Sequence, residues 1–204
     1  MKKPLLLFLA LACATLSQAQ AQNPRSMSWK DVATWKSMPG SGFKLSPDGQ
    51  WMAYVLTGIE TDGELILQKV ADPSSKKSFQ IGNTSFASFE FSDNSQWLAF
   101  KEFPKFSEKQ ANEKAKGKPL KEKLHLIQLA SGDKKTFEGI SGFNFTGEAA
   151  THLLLTLPKE GSGDAKGSDL LIHHLATGKS QNLGNIREHA VNKAGTHLAY
   201  AVDA

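Results

Sequence analysis

One twelve-residue phrase occurs four times in this chain, and the spacing of the copies constrains the fold more than any other feature. The copies read Phe43-Lys-Leu-Ser-Pro-Asp-Gly-Gln-Trp-Met-Ala-Tyr54, Phe89-Glu-Phe-Ser-Asp-Asn-Ser-Gln-Trp-Leu-Ala-Phe100, Phe143-Asn-Phe-Thr-Gly-Glu-Ala-Ala-Thr-His-Leu-Leu154 and His189-Ala-Val-Asn-Lys-Ala-Gly-Thr-His-Leu-Ala-Tyr200. They start 46, 54 and 46 residues apart. Each pairs a short alternating segment with an aromatic-rich one across a turn. Periods of this length belong to repeat architectures, in which each unit buries its apolar face only by stacking on a neighbour.

The first unit shows the plan. Phe43-Lys44-Leu45 alternates with a period of two, and Ser46-Pro47-Asp48-Gly49 carries turn chemistry, with proline presetting φ and Asp48-Gly49 tolerating the reversal. Trp51 to Thr57 returns as a strand, Asp62-Gly63 turns, and Glu64 to Val70 forms a third strand. After Asp72-Pro73-Ser74-Ser75, residues Ser78 to Ile81 make a fourth. Units two and three repeat this over 89–140 and 143–183, while unit four offers two strands ending in Leu198-Ala-Tyr-Ala-Val202. Four antiparallel strands per unit is the blade of a β-propeller. The expected fold is therefore all-β: a β-propeller fragment of about three and a half four-stranded blades, starting near 43, 89, 143 and 189, behind a short N-terminal helix. Phe43, Trp51, Phe89, Phe91, Trp97 and Phe143 recur at repeat positions and are expected in the core between blades.

Residues 1–21 read as a signal peptide. Lys2 and Lys3 precede the apolar run Leu5 to Ala12, and Ala19-Gln20-Ala21 supplies a small-x-small cleavage pattern. The run is too short for a hydrocarbon core needing about 20 residues, so no transmembrane segment is expected. Export to the periplasm or outside follows; an alternative makes Cys13 a lipid-bearing cysteine. Cleavage after Ala21 removes this one cysteine, and with it any disulfide or thiolate chemistry. It also lowers the formal charge from +4 to +2, which gives no argument for nucleic acid. Residues 22–42 form the helix and linker. Ser28 is a fitting N-cap, and Trp29, Val32 and Trp35 share one stripe of a helix over 28–37, expected to pack on the first blade. Ligand binding by the two tryptophans is the alternative.

Unit two is lengthened by Phe103 to Lys123, lysine-rich and apolar-poor, which reads as two short charged helical turns or disorder. A solvated excursion from one end of the blade is the default reading, and a basic arm for an acidic partner is the alternative. Glu160 to Ser168 is a smaller flexible loop at the equivalent place in unit three. No residue is assigned a catalytic, cofactor-binding or metal role, and no cofactor is expected. Gly139-Ile-Ser141-Gly142-Phe143 lacks the second glycine of a nucleophile elbow, and Lys166 precedes Gly167 instead of following it as a phosphate loop requires. Of the histidines at 125, 152, 173, 174, 189 and 197, the adjacent His173 and His174 point to opposite faces of a strand and share no metal easily.

Ser46-Pro-Asp-Gly-Gln-Trp-Met-Ala-Tyr54, echoed at 92–100 and 192–200, resembles the TolB-type propeller repeat. The stretch from Trp35-Lys-Ser through Asp48-Gly-Gln-Trp51 to Asp62-Gly-Glu-Leu65 resembles the first blade of exported bacterial prolyl oligopeptidase family serine peptidases, related to the dipeptidyl-peptidase and acylaminoacyl-peptidase branches. The resemblance covers most of 28–204. Unit three departs from it, with Thr146-Gly-Glu-Ala in place of Ser-Pro-Asp-Gly. It implies a propeller that gates peptide access to a C-terminal α/β-hydrolase domain, the partner that would carry the triad. No triad position lies in this chain, so no catalytic residue is carried over. The alternative is a TolB-type periplasmic scaffold that binds a protein partner; a third reading, a small complete solenoid, is disfavoured by the apolar final strand.

Overall fold

The computed structural model describes residues 26–158 and 167–203. The expected signal peptide and nearly all of the loop expected at 160–168 lie outside the described residues. The chain divides into two units, 1–32 and 33–204. At their boundary lies α1 (Trp29–Ala33). The Ser28 backbone N–H and hydroxyl both donate to the Asp31 carboxylate, at 2.8 and 2.9 Å, so Ser28 does head this helix. The helix is shorter than the expected 28–37. Ser37 instead exchanges two backbone hydrogen bonds with Thr57, at 2.8 and 2.9 Å, which pulls the chain into an extended bridge. Trp35 is exposed, contrary to the packing expected of it.

The second unit is a series of antiparallel meanders. The first sheet holds β1 (Phe43–Leu45), β2 (Trp51–Leu56), β3 (Gly63–Lys69) and β4 (Asp72–Gly82) in sequence order. The second holds β5 (Phe89–Phe91), β6 (Trp97–Glu102), β7 (Lys123–Gln128) and β8 (Lys134–Glu138). The third holds β9 (Gly142–Phe145), β10 (His152–Leu157), β11 (Ser168–His174), β12 (Ser180–Val191) and β13 (Leu198–Val202). The sheets form an open series of blades with apolar wedges between them. Ala53, Val55, Leu65 and Leu67 of the first meet Phe89, Phe91, Leu98 and Phe100 of the second. Ala99, Leu124 and Leu126 of the second meet Leu153 and Leu155 of the third. Alternation along each strand feeds both wedges from one sheet, as a period of two dictates. This is the expected propeller fragment.

The repeated phrase owes its form to one side-chain oxygen. Ser46 Oγ accepts the N–H of Trp51 at 2.9 Å, while its own N–H donates to the Trp51 carbonyl. Ser92 does the same for Trp97 at 3.0 Å, Thr146 for His152 at 3.0 Å, and Asn192 Oδ1 for His197 at 2.8 Å. The turns also bind one another. Asp48 N–H donates to Ser95 Oγ at 3.0 Å, Asn94 Nδ2 to the Ala149 carbonyl at 3.2 Å, and Glu148 N–H to the Lys193 carbonyl at 2.9 Å. Gly195 lies so close to Thr146 that an added Cβ would sit 2.1 Å from its carbonyl oxygen.

Unit three differs by one residue. Phe43 pairs with Tyr54 and Phe89 with Phe100, but Phe143 pairs with Leu155 instead of Leu154. The extra residue sits in the turn, where Gly147 and Ala150 both take positive φ. At the junction of units three and four, Asn185 adopts φ 58° and β12 carries register shifts on either side of Ile186. Gly82 and Gly139 take positive φ at the two earlier junctions and end their strands there. Asn185 bends the chain without ending the ladder, so the expected start near 189 falls inside one long strand and β13 joins the third sheet. Val191 and Leu198 nonetheless pack on the cluster of Leu154, Leu170 and Ile186.

The long insertion is more ordered than expected: α2 (Phe106–Ala115) is a ten-residue helix. Glu108 returns to accept the Lys105 N–H at 3.0 Å, and Asp62 accepts the Phe106 N–H at 2.8 Å. Its ends are neighbours across the ladder, Glu102 pairing with Lys123. Because Ser92 is fully buried and its hydroxyl serves both the Trp97 N–H and Asn94, Ser92→Ala strands a donor. We expect a loss of about 1–3 kcal/mol in chemical denaturation, with no change in the m-value.

Candidate functional site

Two polar settings stand out against the apolar wedges. The first is a set of imidazoles between blades. His125, on β7, faces the first wedge beside Phe100, with ring centroids 5.1 Å apart. Its Nε2 lies 2.5 Å from Glu102 and its Nδ1 2.8 Å from the Thr136 hydroxyl, so one ring ties β6, β7 and β8 together. With Glu102 ionised, Nε2–H donates to the carboxylate and Nδ1 accepts from Thr136. Burial lowers the His125 pKa, and Glu102 opposes that shift. The groups stand in the order of a hydrolase relay, yet all three belong to adjacent strands of one sheet and act as a clamp.

His173, on β11, lies in the second wedge, edge-on to Phe137 at 5.0 Å, with Nδ1 2.8 Å from the Ser180 hydroxyl. Burial, then the Lys135 ammonium and the neighbouring His174 and His152, push its pKa down to about 4. His174 packs edge-on against His152 at 4.6 Å. The adjacent pair thus makes separate contacts. No group of three metal-ligating side chains occurs among the described residues.

On the middle position of the leading strands sit Lys44 and Glu90. Burial raises the Glu90 pKa, partly offset by Lys44, whose ammonium lies 5.5 Å from the centre of the Phe89 ring. Ser141, in the glycine-flanked stretch rejected as an elbow, bonds through both N–H and hydroxyl to the Thr156 carbonyl, at 2.9 and 3.0 Å. It is a blade-junction residue.

The second setting is a cleft of about 1080 Å³ where the arm returns to the blades. Pro119, Leu120, Ile140, Leu157 and Pro158 give it an apolar floor; Lys101, Lys118, Lys121, Glu122, Glu138 and Asp169 rim it. Lys101 Nζ lies 2.7 Å from Glu122 and 2.6 Å from the Ser141 carbonyl. Sequence reasoning reached the arm but not the cleft, because its walls come from five separate stretches of chain between Lys101 and Asp169. The His125 clamp was equally hidden, although a histidine within Leu-His-Leu-Ile is the signal that one wedge holds a polar group.

No family model matches the sequence, and no curated protein matches it. Among solved structures, an acylaminoacyl peptidase in complex with Z-Gly-Gly-Phe-chloromethyl ketone matches with a TM-score of 0.52 at 14% identity, over 86% of this chain and 29% of that one. The β-propeller domain of the trilobed protease from Pyrococcus furiosus matches with a TM-score of 0.48 at 15% identity, over 76% and 45%. An acylaminoacyl peptidase from Pyrococcus horikoshii gives 0.46 at 13%, over 79% and 27%. The likeness is one of fold, and this chain spans less than half of each of those chains.

The His173 geometry sets a pH dependence. The folded value near 4 lies below the ordinary 6.5, so the unfolded chain binds the extra proton between them. Stability is complete above about pH 6.5, falls towards pH 4 and levels below. Denaturation midpoints taken from pH 7 to pH 4.5 will drop for the native chain. They will drop less for His173→Gln, which keeps a partner for Ser180 but cannot titrate.

Proposed function

We propose that this chain is the propeller region of an exported prolyl oligopeptidase family serine peptidase. In this reading it walls the path by which peptides reach a C-terminal α/β-hydrolase domain of the same polypeptide. One observation carries the proposal. Phe89 and Phe91 are 4% and 6% exposed because the first blade covers them, whereas Phe43 and Leu45, at the same repeat positions, are 48% and 51% exposed. Tyr200 on β13 is likewise 49% exposed, whereas Phe100, at the same repeat position, is 1% exposed. Both flanks of the series therefore present surfaces that the repeat buries elsewhere. Further blades would cover them and protect the strand edges. The resemblance of the first blade to that peptidase family and the fold shared with the acylaminoacyl peptidase support the same reading.

A barrier of this kind acts by exclusion. It admits extended peptides to a nucleophile that folded proteins cannot reach, and it contributes no reacting group. The coding sequence beyond codon 204 tests the proposal: an open frame reaching a Gly-x-Ser-x-Gly turn supports it, and a stop after a few more blades supports the TolB-type scaffold. The chain alone is expected to leave chromogenic aminoacyl esters intact and to associate through its flanks. Its melting temperature should shift with concentration. A sharp, concentration-independent monomeric melt would overturn the exposed-flank argument.

A further inference from the structure

We infer that the lysine-rich arm and the cleft it walls form a docking site for an acidic peptide segment containing apolar side chains. Between residues 101 and 123 the chain carries eight lysines and four glutamates, a surplus of positive charge concentrated at one end of the second blade. A charge surplus alone is a solvated surface. Three observations make this one more.

The arm is held in place. Besides the Glu108 and Asp62 bonds at its start, the Lys109 ammonium is bound by the Asn83 carbonyl and Asn112 Nδ2 donates to the Lys118 carbonyl at 3.1 Å. The backbone that carries its lysines is therefore held in place, which reduces the ordering cost of binding.

The acids at the cleft are already engaged, whereas some of the lysines are not. Glu122 is paired with Lys101 at 2.7 Å, and Glu138 lies 3.7 Å from Lys123. Asp169 accepts from Asn182 Nδ2 at 3.0 Å and from the Asn185 N–H at 3.3 Å. Among the described residues, the ammonium groups of Lys114, Lys116 and Lys118 make no ion pair or hydrogen bond; Lys118 stands on the cleft rim. The charge left to a ligand is positive.

The floor is apolar. Pro119, Leu120, Ile140, Leu157 and Pro158 line the cleft, and Leu120 remains 40% exposed. A ligand that satisfies both surfaces alternates carboxylates with apolar side chains along an extended backbone, as an acidic peptide does. The inference stands whether or not the peptidase reading holds.

The test uses the full chain and three fluorescein-labelled twelve-residue peptides: alternating Glu and Leu, alternating Lys and Leu, and Glu alone. Fluorescence anisotropy should show the Glu/Leu peptide binding tightest and the Lys/Leu peptide not binding. Raising salt from about 50 to about 300 mM should weaken the binding, since these charges are exposed. Lys114→Glu/Lys116→Glu/Lys118→Glu should raise the dissociation constant about tenfold or more. Leu120→Ser should weaken the Glu/Leu peptide while leaving the Glu-only peptide unchanged. All four side chains are exposed, and unaltered thermal melts confirm that the variants fold. Equal affinity for the Glu/Leu and Glu-only peptides would overturn the inference, as would an unaffected triple variant. Co-sedimentation with phosphatidylglycerol vesicles but no peptide binding would overturn it in favour of a lipid surface.

Discussion

The structure depends on a single hydrogen-bond acceptor placed at the mouth of each turn. At Ser46, Ser92, Thr146 and Asn192 an oxygen receives the backbone N–H of the residue at, or just before, the start of the returning strand. That N–H would otherwise be stranded where the ladder gives way to the turn, at a cost of about 1–3 kcal/mol. Closing it fixes the register of the hairpin, and the hairpin register decides which residues face each wedge. The same turns then bond to one another from unit to unit, so a local device also sets the spacing of the sheets. Serine, threonine and asparagine serve equally because each offers an oxygen at comparable reach. The element repeated in the chain is thus an acceptor more than a residue type.

With register fixed, alternation distributes each sheet between two wedges, and the wedges tolerate polar groups only when these are satisfied. His125 and His173 meet that condition through hydroxyls on the neighbouring strand, Thr136 and Ser180. Both histidines have lowered pKa values, with burial the leading cause. His125 lies beside the Glu102 carboxylate, which can share a proton, whereas His173 lies near the Lys135 ammonium. The two wedges therefore differ in their response to acid, although their apolar contacts are alike.

The repeat, the four-strand units and the apolar stripes were legible because they rest on local chemistry: Pro47 and Gly49 in a turn, Phe89 and Phe91 two apart on a strand. Features that rest on distant partners were not. The helix at Trp29 stops early because Ser37 meets Thr57, twenty residues on. The extra residue of unit three shows only in the pairing of Phe143 with Leu155. Asn185 looks like any loop asparagine until its φ reveals a bend inside a continuing strand. The sequence of the arm reads only as two short charged helical turns or disorder, since Phe106–Ala115 lacks an apolar stripe. Its order comes from capping by Glu108 and anchoring at Asp62 instead of burial. The cleft was invisible for the same reason: Leu120, Ile140 and Leu157 converge only after the blades have formed.

The repeated turn and the lysine-rich arm occupy opposite ends of the second blade, and topology explains why. The turn that joins the first two strands of a unit is bonded to its neighbours, so a change in its length must be absorbed on the spot, as Gly147 and Ala150 do with positive φ in unit three. The connection between the second and third strands is bounded by a ladder pair, Glu102 with Lys123. Chain can be added between those two residues without moving any residue of the wedge. Loop-closure entropy rises only slowly with length, roughly 0.6 kcal/mol for each doubling. A twenty-residue excursion therefore costs the sheet little, while it delivers a helix, a charged rim and a cleft wall to one end of the module. The turn end holds the architecture and the connection end is free to vary, so a recognition surface on such a module belongs where the lysine-rich arm is found.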